Sequence, residues 1–220
     1  MNDGAGDART ARQCSEGKPA LDWAAPVSAD RPDGDRFPWA AELDGLHAKV
    51  WERLARGVHD ARAAARHPVL ATISAAGPEA RTVGLRRADR AAGEVEVHTD
   101  LGSDKVAELR ADPRAALHVW DRKVQLQVRL RMKVEVLSGR EVEERWRGIP
   151  QEGRLNYGGE PPPGTPIGHW RDHEATVARE RFGVLLGRVE EIDAVVLGER
   201  PHRRALFRRA DGWAGRWLAP

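Results

Sequence analysis

An antiparallel barrel of six or seven strands, mainly β with helices packed outside it, is the fold class this sequence predicts, and three observations carry that expectation. Between residues 124 and 136, Val124, Leu126, Val128, Leu130, Met132, Val134 and Val136 alternate without a break with Gln125, Gln127, Arg129, Arg131, Lys133 and Glu135. Successive strand side chains point to opposite faces, so this is a long strand with one apolar wall and one polar face. Shorter apolar or alternating runs lie on both sides of it, and closure into a barrel removes the edges that so many strands would otherwise expose. Finally, Trp39, Leu43, Leu46, Val50, Leu54 and Val58 recur at helical spacing, a stripe that needs a sheet to cover it.

The elements follow in order. Residues 1–36 are Gly, Ala, Asp, Arg and Pro with few large apolar groups, which predicts a disordered extension preceding a domain over 37–220. The stripe predicts a helix within 39–65, bounded by Pro68. Residues 69–74 form a strand, Ala75-Ala76-Gly77-Pro78 a turn, 81–87 a second strand, 90–93 another turn and 94–99 a third strand. Ser103 is placed as the N-cap of a short helix over 104–111, stopped by Pro113. Strands over 114–120 and 124–137, a helix over 141–147 and a Pro- and Gly-rich loop over 150–168 come next; loops of that length are usually functional or disordered. Strands over 182–197 and 203–217 close the chain, the latter with Asp211-Gly212 as a turn. No internal repeat is visible.

Composition excludes several classes of function. Lys+Arg 36 against Asp+Glu 34 leaves no global electrostatic case for nucleic acid. The basic run at 200–209 is split between strand faces and lacks an aromatic platform for RNA. A single cysteine, Cys14, forms no intrachain disulfide, and the first residues lack a basic-then-apolar pattern, so a cytoplasmic location is expected. No apolar run is long enough to span a membrane. His98, His118 and the segment holding His169 and His173 fall in different elements, so no metal site is expected. Ser74 and Ser103 lack a nucleophile-elbow context.

One constellation points to a ligand. Arg81 and Arg86 bracket the second strand, and Ser103 with Lys105 opens the short helix after the third. If the strands pair, these cations converge on a helix N-terminus, whose unpaired N–H groups and positive dipole end bind phosphate. Arg supplies a planar fork, Lys a point charge and Ser a hydroxyl.

The same residues carry a family resemblance. Arg81-Thr82-Val83-Gly84-Leu85-Arg86, then Val97-His98-Thr99-Asp100-Leu101-Gly102-Ser103-Asp104-Lys105, then Gln127 on the long strand, resemble the pyridoxamine 5′-phosphate oxidase-like FMN-binding split-barrel family. Arg200-Pro201-His202-Arg203-Arg204 and the closing Trp213…Trp217-Leu218-Ala219-Pro220 extend the likeness.

The resemblance implies FMN as cofactor and a homodimer with FMN at the interface. It places Arg81 and Lys105 on the flavin phosphate with Ser103 at the helix N-terminus, and Arg86 beside the flavin. Thr82 and Val83 would lie along the ring through their backbones, His98 and Thr99 would contact the flavin, and Gln127 would hydrogen-bond the isoalloxazine edge. Arg204 is the late contributor to that site. Arg200 and His202 match the Arg-x-His pair that covers the substrate and are the expected catalytic residues, on the reading that residues two apart on a strand share a face. Arg154 and Thr165 are the substrate-binding candidates, with Tyr157 nearby. Two departures stand out: Asp104 occupies the place of an arginine in the oxidases, and the oxidases' Gln-Ser flavin pair has no counterpart after Trp170. The function implied is an FMN-dependent oxidoreductase that passes a substrate hydride to the flavin, with reoxidation by oxygen. The alternative is an FMN-binding module or flavin reductase with a different substrate.

Overall fold

The computed structural model describes residues 35–198 and 200–220. Of the extension expected at 1–36, residues 1–34 lie outside the described residues. Arg36–Pro220 form one compact unit.

The amphipathic stripe folds as helix α1, Leu43–His59, whose Leu46, Val50, Trp51 and Leu54 are buried. Trp39 precedes the helix in a separate 3-10 turn, Pro38–Ala40. The sheet is antiparallel throughout. Strands β1 (Val69–Ser74), β2 (Gly77–Thr82), β3 (Leu85–Asp89) and β4 (Glu94–Asp100) precede helix α2 (Asp104–Ala111). Strands β5 (Arg114–Asp121) and β6 (Leu126–Ser138) lead to helices α3 (Glu143–Arg147) and α4 (Gln151–Arg154). Strands β7 (Phe182–Val196), β8 (Arg203–Arg208) and β9 (Gly215–Leu218) complete it.

The strand order runs β2-β1-β5-β6-β7 and then forks. Residues 182–188 of β7 pair with β4, which carries β3, while residues 191–196 pair with β8, which carries β9. On its other edge β7 pairs with β6 along nearly its whole length, with a register shift opposite Arg131 and Met132 that leaves Glu190 as a bulge. The path does not close, since β2, β3 and β9 end it as edges; the closure expected from the strand runs gives way to a forked antiparallel sheet compatible with a split barrel.

Nine strands are described rather than six or seven. Two splits account for the difference. The strand expected at 81–87 is two strands: Val83 still donates its N–H to Pro68 O at 2.9 Å in the β1–β2 register, but Pro68 has no N–H to return, and from Leu85 the chain pairs with β4 instead. Its first half extends back to Gly77 and Pro78, poor strand formers that are tolerated because β2 is an edge. The strand expected at 203–217 breaks at a 3-10 turn, Arg209–Asp211, closed by Gly212 at φ 61. The long alternating run also starts later than its pattern: Gln125 has φ 50 and belongs to the β5–β6 turn.

From Leu126 the alternation holds. Leu126, Val128, Leu130, Met132 and Val134 are all buried, whereas Arg129, Arg131, Lys133 and Glu135 are exposed and Gln127 is half-buried. The parity changes near Val136, and Leu137 turns into a second, smaller core with Val142, Trp146, Tyr157, Phe182, Val184 and Leu186. One end of the sheet's outer face is therefore covered by α3 and the loop after it, and the rest is open.

Candidate functional site

The first turn of α2 organises the site. Ser103 occupies the N-cap position with extended backbone, but makes no side-chain cap bond. Its hydroxyl instead donates to Asp100 O at 2.7 Å and accepts from Lys105 Nζ at 2.8 Å, with Thr99 Oγ1 at 3.2 Å. The expected cap role of Ser103 is thus corrected: it is a relay between the end of β4 and Lys105. Burial, and then the charge of Arg81, lowers the pKa of Lys105. Arg81 reaches the same place from β2. Its guanidinium donates to Thr72 Oγ1 and to Glu108 Oε2, the latter at 3.0 Å.

Arg81, Ser103 and Lys105 line one cavity of about 380 Å³, together with Glu79, Asp104, Glu108, Pro163 and Gly164. The strand pairing and helix position have therefore brought together the three residues expected to meet. The loop is held near this cavity by Asp100, which accepts from Gly158 N at 2.8 Å and pairs with Arg181 at 2.7 Å. Gly164 lies so close to Asp104 that a Cβ there would come within 2.9 Å of its carboxylate. Exposed Thr165 follows it, its N–H donating to Pro162 O at 3.1 Å.

The donor set suits a phosphate: two cations, a hydroxyl, and the first-turn N–H groups that no helix can satisfy internally. The balance of charge is less simple, since three carboxylates face the two cations. A phosphate entering this cavity would compete with Glu108 for Arg81.

A second group surrounds His98. Its ring meets Phe182 edge-on at 5.1 Å. Burial, and then the positive charge of Arg86, lowers its pKa to about 4. Exposed Arg86 lies beside Gly84, where a Cβ would come within 3.1 Å of its guanidinium. Burial raises the pKa of Tyr157 in the same cluster, opposed by the charge of Arg86. Thr82 ends β2 exposed, Val83 is buried with its N–H engaged, and Thr99 is buried against Ser103.

Gln127 and Arg204 form a third group. Both lie directly opposite Val195, on β6 and β8 respectively, so one cross-strand row runs Trp120, Gln127, Val195, Arg204, Leu218. This row is on the outer face, away from the Leu126, Val128 and Ala205 core. Arg204 is held there by Asp193 at 2.9 Å, which also accepts from Arg129. Burial alone would raise the pKa of Asp193, but these hydrogen bonds hold it below its usual value.

The remaining candidates lie apart from these groups. Arg154 donates to Ile149 O at 3.1 Å and stacks over Trp146 at 5.0 Å, closing the end of α3. Arg200 and His202 are not on a strand, because β8 begins at Arg203. The strand argument for their sharing a face is therefore corrected: the backbone turns between them, and only half-buried His202 lines a cavity, beside Arg204, Trp217 and Leu218.

Sequence reasoning missed Thr72, Glu108 and Asp193. A buried Thr on the apolar face of β1 and acids on strand and helix faces gave no local sign of the arginines they receive.

Residues 48–138 match the family model for the FMN-binding domain of pyridoxamine 5′-phosphate oxidase. No curated protein matches the chain. Among solved structures, a pyridoxamine 5′-phosphate oxidase-related FMN-binding protein of Nostoc punctiforme is similar at 21% identity and TM-score 0.65, over 79% of this chain and 96% of that one. PhzG of Burkholderia lata, solved with tetrahydrophenazine-1-carboxylic acid, is similar at 18% identity and TM-score 0.60, over 81% and 90%. A Clostridium acetobutylicum protein related to general stress protein 26 follows at 12% identity and TM-score 0.53, over 77% and 98%. At these identities the structures share a fold. The likeness to the pyridoxamine 5′-phosphate oxidase-like FMN-binding split barrels, read first from motifs, is shown by the family model together with these structures.

Proposed function

We propose that the chain is an FMN-dependent oxidoreductase acting as a homodimer. The observation that carries this reading is the convergence of Arg81, Ser103 and Lys105 on one cavity at the start of α2. Arg81 and Lys105 would hold the flavin phosphate with the first-turn N–H groups, while Thr82, Val83, Arg86, His98 and Thr99 border the path from phosphate to ring. Because His98 is neutral at ordinary pH, it would present a polar but uncharged edge. Bound FMN would supply the two-electron acceptor for a substrate hydride and, reduced, react with oxygen.

The two-chain reading rests on faces rather than on sequence distance. Gln127 and Arg204 sit one strand to either side of Val195, about 10 Å apart at ordinary strand spacing, so one chain supplies both. Arg81 instead turns inward from β2 toward α2, whereas Gln127 and Arg204 face outward from β6 and β8. A second copy would bring its Gln127–Arg204 row to the first copy's phosphate cavity. Exposed Leu197 on the outer face suits such an interface. His202, beside Arg204, would orient substrate there with Arg200.

A second reading concerns the substrate. Arg154 is committed to the Ile149 carbonyl and to the Trp146 ring, leaving Thr165 without its expected partner for a substrate phosphate. This favours a substrate other than a vitamin B6 phosphate ester.

The test is flavin content of the purified protein, followed by anaerobic bleaching with pyridoxamine 5′-phosphate and with a panel of other donors. Stoichiometric FMN in a dimer by light scattering is expected. Retention of full FMN by the Arg81→Ala, Lys105→Ala double variant, or by a monomer, would contradict the assignment. Bleaching by donors other than B6 vitamers selects the second reading.

A further inference from the structure

A larger cavity than that of Arg81 lies elsewhere, where the end of α1 meets the β5–β6 turn. It measures about 590 Å³, and six basic side chains line it against one carboxylate, Asp121. In a chain whose charges nearly cancel, 36 to 34, such a local excess is not a sample of the average surface.

Two carboxylates organise this cavity, and both do so in the same way. Asp121 pairs with Arg53 at 2.5 Å, and its other oxygen accepts from Lys123 N at 3.0 Å. Asp60 pairs with Arg56 at 3.0 Å, and its other oxygen accepts from Arg62 N at 2.8 Å. Each acid thus neutralises one arginine and fixes the backbone of a further cation. The turn is tied again by Gln125 Nε2, which donates to Arg122 O at 2.9 Å. What remains are the side chains of Arg62, Arg122 and Lys123, which among the described residues meet no carboxylate within salt-bridge distance. Their backbones are held in place while their charges stay unmatched. Trp120, 40% exposed, adds a flat apolar wall.

We propose that this cavity binds a small polyphosphate ester bearing a planar ring, of the nucleoside diphosphate class. Its phosphates lie on Arg62, Arg122 and Lys123, and its ring lies against Trp120. Guanidinium forks and an ammonium match phosphate oxygens, an indole face accepts a ring, and the volume falls in the range of small-molecule sites. A concave cavity with a single ring wall suits a compact ligand better than a nucleic-acid strand, which needs a groove and successive stacking platforms. The site shares no residue with the Arg81 cavity.

The test is calorimetric titration of the full chain, as purified, with ADP, pyrophosphate and adenosine. ADP is expected to bind more tightly than either fragment, and added salt to weaken it. The Arg62→Glu, Lys123→Glu variant should lose at least tenfold in ADP affinity, and Trp120→Ala should lose affinity for ADP but not for pyrophosphate. Arg62 and Lys123 are exposed, so unchanged melting temperatures would confirm intact variants. If the reversed variant is destabilised, the Arg62→Gln, Lys123→Gln variant should show the same loss, while the charge-keeping Arg62→Lys and Lys123→Arg variants should retain ADP binding. Equal ADP binding by wild type and reversed variant, binding only through release of FMN, or no binding of ADP and pyrophosphate would each overturn the proposal. Binding of a single-stranded oligonucleotide without ADP would overturn it in favour of a nucleic-acid surface.

Discussion

Two cavities of this chain are lined by arginine and lysine, and they treat charge in opposite ways. At the start of α2, Arg81 is engaged by Thr72 and Glu108, and three carboxylates surround two cations. At the end of α1, Arg53 and Arg56 are matched by Asp121 and Asp60, while Arg62, Arg122 and Lys123 meet no carboxylate within salt-bridge distance among the described residues. The difference teaches that a positive cavity cannot be judged by counting cations. A cation already holding a carboxylate must exchange partners to bind an anion; one whose backbone alone is anchored need not.

This contrast can be broken or sharpened by substitution. The largest effect should come from Arg53→Ala. Its partner Asp121 is 4% exposed, and stranding a buried charge costs about 3–5 kcal/mol; a chemical denaturation midpoint close to wild type would show that Arg53 is not structural. Next, Arg81→Ala should weaken FMN binding by about 1.5–3 kcal/mol, the loss of a charge-assisted bond, read by equilibrium titration of flavin fluorescence. Stability should also depend on His98. Its folded pKa is near 4 against 6.5 unfolded, so the unfolded chain binds the extra proton between those values. Stability therefore falls as pH drops through that window, by up to about 1.4 kcal/mol per unit. His98→Phe should flatten the slope, and an unchanged pH profile of the melting temperature would refute the assignment. Glu108→Gln keeps a hydrogen bond to Arg81 but removes a charge opposing the phosphate, and should tighten FMN binding about tenfold; weaker binding would mean that Glu108 positions Arg81 more than it competes. Smallest of all, Arg62→Ala should change stability by less than about 0.5 kcal/mol, since its exposed side chain makes no hydrogen bond or ion pair among the described residues.

What was legible in the sequence was local. The alternation from Leu126 to Val134 gave β6 and its buried wall, because a period of two survives any tertiary arrangement. Ser103 and Lys105 were found together because a helix start brings residues two apart to one end. Arg81 joined them through the β1–β2 hairpin beside α2, not through the pairing of the second and third expected strands that the sequence argument invoked, since β2 does not pair with β4. What could not be read depended on contacts across elements. Glu108 looks like a solvated helix residue until β1 and β2 pack on α2. Asp193 gives no sign of Arg129 and Arg204 until β7 lies between their strands. Arg154 resembles a substrate ligand in spacing, yet the end of α3 claims it. Arg53 and Arg62 read as the polar side of an amphipathic helix and its exit, and only the β5–β6 turn reveals that they face a cavity.

The fork at β7 has a consequence for how the molecule loosens. Because β4 and β8 attach to different lengths of one strand edge, neither shares a hydrogen bond with the other, and the bulge at Glu190 lies between them. Opening β8 and β9 frees Arg204 and His202 but leaves the β6–β7–β4 ladder whole. Opening β3 and β4 likewise spares the outer row. The chain can thus fray as two arms on a common spine, tied to each other by Arg209, which donates to Ala92 O at 2.8 Å and to Gly93 O at 2.6 Å. The groups that would meet the substrate belong to one of them, and the anchor of the phosphate site to the other.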